Sequence, residues 1–224
     1  MREFLILKLQ GPMQAWGEHT FEGLRPSGNF PTRSGLLGFL GACVGIRRNE
    51  PERLQDLATS VGMAVRVDER YLPGEKKRPL RVAKMTDYHT VQGARVEYSG
   101  LKSHETIQTW REYLFDAQFT IALWNLKEAP VSLDALEGAV RRPVFTPFLG
   151  RRSCPLARPP FESRLCAPSV LEALKRVHPH AGTIYSEEEE GERMIRLRDV
   201  PLIHQSRQFA SRNVFVIGGG NVPE

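Results

Sequence analysis

Phe4–Leu9 (FLILKL) is a nearly continuous apolar run, and it reads as a buried central strand. Gly11-Pro12 ends it. Outward from that strand, a loop runs to Pro31, rich in Gly and Pro yet carrying Trp16, Phe21 and Phe30. Loops hold that many aromatics when they pack against the protein body or against a ligand. Thr32 or Ser34 then caps a helix to about Ile46, because a hydroxyl before an apolar run satisfies free amide donors. Gly35, Gly38, Gly41 and Gly45 recur along that helix. Interior glycine costs about 1 kcal/mol against alanine, so the series implies a backbone pressed against a sheet or another subunit. The spacing imitates a dinucleotide fingerprint, but the glycines lie within the helix and no strand ends at them, so no cofactor is expected.

Further along, Pro51 and Glu52 open a second helix ending near Ser60, and Met63–Asp68 is a strand. Residues 70–81, with Pro73, Gly74 and Lys76-Lys77-Arg78, read as an exposed insertion. Asp87–Val91 is a strand and residues 92–100 a turn region. From Thr106 to Trp124 the pattern alternates over two strand lengths. Ile107, Thr109, Arg111 and Tyr113 face one side; Gln108, Trp110, Glu112 and Leu114 face the other. Asp116-Ala117 marks a bulge or bend.

Ser132–Arg142 is a helix stopped by Pro143, and residues 145–160 form a proline-punctuated basic loop. Ser169 and Glu172 make a capping box for a short helix to Val177. Strands around Thr183–Tyr185 and Met194–Arg198 flank Glu187–Glu190, which reads as a solvated hairpin tip. Val214–Ile217 is a last strand. The order is compatible with a ferredoxin-like α+β fold, the sheet of RRM domains.

A chain of 224 residues with 41% hydrophobic and 25% charged residues suits one globular domain with an elaboration, or two small ones. Cys43, Cys154 and Cys166 have no CxxC spacing, which argues against a disulfide framework or thiolate metal site and for a reducing cytoplasm. Phe4–Leu9 runs into Gly-Pro rather than a cleavage site, and the longest apolar stretch, Gly35–Ile46, is too short to span a bilayer. The net charge of +5 is modest, but its distribution is uneven. Arg70 to Arg111 holds nine Lys/Arg against four acids, and Arg141 to Arg164 six against one. Such clusters suit a phosphate-backbone binder, or a pair of solvated basic loops.

Five segments together resemble the CRISPR-associated CasD family. They are Gly11–Gly17 (GPMQAWG), Pro31–Gly45 (PTRSGLLGFLGACVG), Leu101–Tyr113 (LKSHETIQTWREY), Phe145–Leu156 (FTPFLGRRSCPL) and Arg207–Arg212 (RQFASR). The resemblance runs the length of the chain. It implies a ferredoxin-like/RRM-like palm with a protruding β-hairpin thumb: residues 1–75 begin the palm, 76–112 form the thumb, and 113–224 complete the palm with a C-terminal subdomain. It also implies a non-catalytic subunit of a Cascade complex that grips the 5′ handle of the crRNA. Such a subunit docks against CasC and CasA and meets target DNA only through the complex.

Residue types fit that role. Arg151 and Arg152 follow Gly150 in a loop and offer rigid forks to phosphate, or to a carboxylate or helix end. Phe148, and Trp16 with it, are candidates for stacking on handle bases, the alternative being a core plug. Arg33 and Ser34 open the glycine helix, where free amides favour an anion or where Ser34 is a structural cap. Lys102, Thr106, Gln108 and Arg111 lie along the strand at the thumb base; Gln108 can read a base edge, and Arg111 supplies charge. Gln14 and Arg25 complete the set. The rival reading is a metal-independent endoribonuclease built on Lys102 and His104, with Tyr88 and His89 nearby. His178 and His180 form an isolated pair without zinc-site spacing, so no metal is expected.

Overall fold

The structure is a computed structural model that describes residues 1–18, 20, 23–74, 79–92, 106–188, 191, 193–205 and 208–218. These form β1 (Arg2–Gln10), β2 (Met13–Gln14), β3 (Leu24–Arg25), α1 (Arg33–Val44), α2 (Pro51–Ser60), β4 (Val61–Asp68), β5 (Ala83–Gln92) and β6 (Thr106–Phe115). There follow β7 (Gln118–Asn125), α3 (Leu133–Arg141), β8 (Phe161–Ala167), α4 (Val170–Lys175), β9 (Gly182–Ser186), β10 (Arg193–Pro201) and β11 (Phe209–Ile217). The fold is α+β, with more sheet than helix. No described helix is long and apolar enough to cross a membrane.

The larger sheet runs β10-β11-β9-β4-β7-β1-β8, and every neighbouring pair is antiparallel. β1 shows why FLILKL is apolar almost throughout. Successive strand residues point to opposite faces, and here both faces are covered. Leu5, Leu7 and Leu9 enter a core with Leu36, Leu37 and Leu40 of α1, Leu57 of α2 and Leu136 of α3. Phe4 and Ile6 enter a second core with Val170, Ala173 and Leu174 of α4. In the smaller sheet β5 pairs along one edge of β6, while β2 and β3 pair with its other edge.

Thr32 is the cap of α1, its hydroxyl accepting from the Gly35 amide; Ser34 lies inside the helix. Gly45 ends it at φ 81°, a conformation that favours glycine. Gly35 is needed for close approach, but to Trp16: a Cβ there would lie 2.8 Å from the indole. Gly38 faces open space, so the glycine series does not record one continuous contact with a sheet. Burial pushes the Cys43 thiol in α1 up to about 12, leaving it inert.

Three further expectations change. β8 has no counterpart in the sequence reading. β9 and β10 do not form a hairpin together, because β11 lies between them. Glu187, expected at a solvated tip, sits in an ionic cluster described below.

Lys8 is the exception in β1, pointing to the α4 side into a buried polar knot. Its ammonium donates to Asp68 (2.8 Å), Thr120 (2.6 Å) and the His178 carbonyl (2.6 Å). Arg66 donates to Asp68 (2.7 Å) and Thr120 (2.9 Å), and to the carbonyls of Leu174 and Val177 at the end of α4. Burial pushes the Lys8 ammonium below the usual lysine value, against the pull of Asp68. Two cations thus share one carboxylate, and removing it strands both. Asp68→Asn should lower stability by about 3–5 kcal/mol, read as a fall in the urea midpoint. An unchanged midpoint would show that the carbonyl oxygens alone hold the two cations.

Candidate nucleic-acid interface

Residues 25, 111 and 151 are far apart in sequence and meet in space. Arg25 of β3 is the parallel register partner of Arg111 of β6. Arg151 reaches across both strands, its guanidinium donating to the carbonyls of Arg25 (3.2 Å) and Glu112 (3.3 Å) while lying 4.7 Å over the Tyr113 ring. The loop carrying Arg151 is held by contact rather than by regular structure. Gly150 has φ 84° and lies against the backbone at Ala15, where a Cβ would meet the carbonyl oxygen at 1.7 Å. The Ala15 amide donates to the Leu149 carbonyl (3.0 Å), and Leu149 is buried. Three arginines thus lie together around the middle of β6, with Arg25 and Arg111 half-exposed on β3 and β6.

Arg152 follows Arg151, is exposed, and has no ionic partner among the described residues. Phe148 is half-buried in the same loop. Thr106 and Gln108 are exposed on β6, on the face opposite Thr109 and Arg111. The Arg111 Nε donates to Thr109 (3.1 Å). Lys102 and His104 lie outside the described residues. Tyr88 and His89 are neighbours on β5 and therefore point to opposite faces, so they do not form one constellation. His89 instead contacts Asp87 (2.7 Å) and the Tyr113 hydroxyl (3.3 Å).

Gln14, Trp16 and Arg33 do not belong to an accessible site. Gln14 is fully buried, donating to the Ala117 carbonyl (2.7 Å) and accepting from the Trp16 indole (3.1 Å). Trp16 is likewise fully buried and packs on α1 at Gly35, so its ring is a core plug. Ser34 is half-buried with its hydroxyl 3.3 Å from that of Thr32. The Arg33 guanidinium is spent on Glu187 (2.5 Å) and on the carbonyls of Ala58 (2.8 Å) and Val61 (3.2 Å).

Arg33 is one corner of an ionic cluster that joins the chain's two ends. Glu187 accepts from Arg33, from Arg212 (2.8 Å) and from the Met63 amide (2.9 Å). Arg212 makes a two-point contact with Asp199 (2.7 and 2.8 Å), and Asp199 also accepts from the Arg33 amide (2.7 Å). The Asp199 carboxylate thus occupies the start of α1, where an anion is favoured. Burial opposes its charge, but Arg212 and the Arg33 amide prevail and hold the carboxyl below its ordinary value. Residue type alone did not single out these partners, although Arg212 closes the RQFASR segment already quoted.

The family model for "CRISPR-associated protein (Cas_Cas5)" matches residues 4–215. This chain belongs to that family of CRISPR-associated proteins. It is 55% identical over 222 residues, 98% of each chain, to the CRISPR system Cascade subunit CasD of Escherichia coli (strain K12). Among solved structures it resembles a chain of a CRISPR RNA-guided surveillance complex, with TM-score 0.71 and 30% identity, covering 96% of this chain and 89% of that one. A second, described as a crystal structure of a Cas protein, has TM-score 0.63 and 27% identity, covering 95% and 93%.

The ionic cluster generates a pH dependence. Because the Asp199 carboxyl is lowered from its ordinary 3.8 on folding, the unfolded chain binds the proton first. Its contribution is therefore present above that value and is lost as pH falls through the folded one. Asp199→Asn should lower the urea midpoint at pH 7, and the gap to the parent should close in acid. A gap that stays constant down to pH 3 would show that Asp199 acts through shape rather than charge.

Proposed function

We propose that this chain is a non-catalytic crRNA-binding subunit of a Cascade surveillance complex in the cytoplasm. It grips the 5′ handle of the guide RNA and caps the CasC backbone beside CasA, so that target DNA is met by the assembled complex. The observation that carries this reading is the 55% identity to a Cascade CasD subunit over 98% of both chains. The grouping of Arg25, Arg111 and Arg151 about the middle of β6 supports it on physical grounds, since clustered arginines suit a phosphate backbone.

In this reading the strands β4-β7-β1-β8, connected in the sequence β1–α1–α2–β4–β7–α3–β8, are a ferredoxin-like palm. The hairpin β5–β6, inserted between β4 and β7, is the thumb. Arg25, Arg111 and Arg152 meet phosphates, and so do the donors of Arg151 left over from its two carbonyl bonds. Thr106 and Gln108 meet bases, Phe148 packs on one, and Lys102 adds charge. Ser34, Arg33, Trp16 and Gln14 act only indirectly, by fixing α1 and the loop on which Arg151 stands.

Arg152 is the cleanest test because its removal costs no internal bond. In the complex rebuilt with its partner subunits, Arg152→Ala should weaken binding of handle RNA. It should also flatten the dependence of log K on log salt by about 0.7, the value for one single-stranded phosphate contact. A parental slope would remove Arg152 from the interface. Repeat RNA incubated with the purified chain without metal should stay intact on a denaturing gel. Discrete cleavage that disappears in His104→Ala would replace the proposal with a processing nuclease.

A further inference from the structure

The hairpin has a second face that the cationic cluster does not use. Trp110 of β6 is the register partner of both Leu24 of β3 and Tyr88 of β5, so the three stand in a row across three strands. All are large and apolar, yet they are 46%, 43% and 50% exposed, respectively. The Tyr88 and Trp110 rings lie 5.5 Å apart at 49°, an angle that leaves them uncovered by each other. Gly23 backs the indole: a Cβ there would touch it at 3.3 Å. The next pair on the same face is polar and exposed, Thr90 opposite Gln108.

A cross-strand aromatic pair stabilises a hairpin by itself, but packing that served only the hairpin would be better covered. The row is also too small for a protein partner. Three half-exposed side chains of this size present roughly 300 Å², whereas a stable protein interface takes about 800 Å² from each side. It does match one or two nucleobases, which stack on aromatic faces without regard to sequence. The setting fits as well. Arg25 and Arg111 follow Leu24 and Trp110 directly and so point to the opposite face. The outer edge of β5 has no partner strand among the described residues, so a nucleotide strand can pass over it from the cationic face to the aromatic one.

We propose that Trp110, flanked by Tyr88 and Leu24, is a stacking platform for an unpaired base of the bound RNA, with Gln108 placed to meet that base's edge. The inference rests on the RNA-binding reading above. It assigns Trp110, Tyr88 and Leu24 a role that charge and segment resemblance did not.

The other two tryptophans, Trp16 and Trp124, are 0% and 4% exposed, so Trp110 alone reports on the surface. The full chain carrying 5-fluorotryptophan is titrated with single-stranded CRISPR repeat RNA. Binding is read by anisotropy of labelled RNA, and the indoles by fluorine NMR, with Trp110 assigned through Trp110→Phe. The expected result is an RNA-induced shift of the Trp110 resonance while the two buried ones stay put. Trp110→Leu, which fills the site without an aromatic face, should weaken binding roughly ten-fold, and Trp110→Phe should retain most of it. Parental binding in Trp110→Leu with an unmoved Trp110 resonance would overturn the platform and leave RNA binding standing. RNA that binds the parental chain neither alone nor in the complex rebuilt with its partner subunits would overturn both readings. A Trp110 shift produced by partner subunits in the absence of RNA would give this face to protein and overturn the platform.

Discussion

The antiparallel ladder between β1 and β7 is the constraint from which the rest of the site inherits its position. β7 pairs with β1 on one side and β4 on the other, and its residues from Phe119 to Trp124 are buried. Only Asp116 and Ala117 separate it from β6. Asp116 takes a left-handed φ of 49° and is held by the Pro12 carbonyl (2.9 Å) and by the Arg70 guanidinium. With so short a link the direction of β6 is fixed by the core, although much of β6 lies outside it. β3 and β5 are then placed by their bonds to β6, and the Arg151 side chain reaches β6 from a loop held at Ala15. A cluster assembled from residues 25, 111 and 151 is in this sense a consequence of how one buried ladder turns a corner.

That dependence explains why counting basic residues overstates the interface. Several arginines in this chain are structural. Arg66 is sealed beneath α4, Arg33 and Arg212 join α1 to the C-terminal hairpin, and Arg164 ties β8 to Glu3 of β1 and Asp134 of α3. A guanidinium has five donors in a fixed fork, so it can satisfy several carbonyls and carboxylates where a lysine would leave some unmet. Buried arrangements of this kind are weak evidence for net stability, but breaking one partner is costly. Arg151 stands between the two uses: it closes the gap between β3 and β6 with two donors and keeps the rest for another acceptor.

What the sequence disclosed follows from how local each signal is. FLILKL was legible because burial on both faces leaves no position for a polar residue except Lys8. Ser132 and Ser169 were legible because a cap acts within three residues of itself. The alternation from Thr106 onward was legible because β6 is half-covered, which is the condition for a period of two. β8 was not: FESRLCA is an edge strand of mostly half-buried residues, with Arg164 facing an acidic surface, so it carries neither a run nor a clean period. Glu187 looked solvated because its neighbours are acidic, and its partners at 33 and 212 are separated from it by 154 and 25 positions. Trp16 and Arg33 were misjudged for the same reason. A resemblance marks such residues as worth keeping without saying whether they face a ligand or the core.

The hairpin shows how a strand's period can serve two chemistries at once. Adjacent residues on β3 and β6, Leu24 and Arg25 or Trp110 and Arg111, send an apolar group one way and a charged one the other. Along β5 neither face is covered by the described residues, whereas Thr109, Tyr113 and Leu114 of β6 are buried. β5 is exposed along nearly its whole length and, among the described residues, pairs with β6 alone. A ribbon edge of this kind is weakly held, because regions with few buried contacts open at the lowest free-energy cost. Covering this ribbon would therefore add burial where the fold has least of it. The same lack of burial that leaves β5 weakly held also leaves the Tyr88 and Trp110 rings half-exposed.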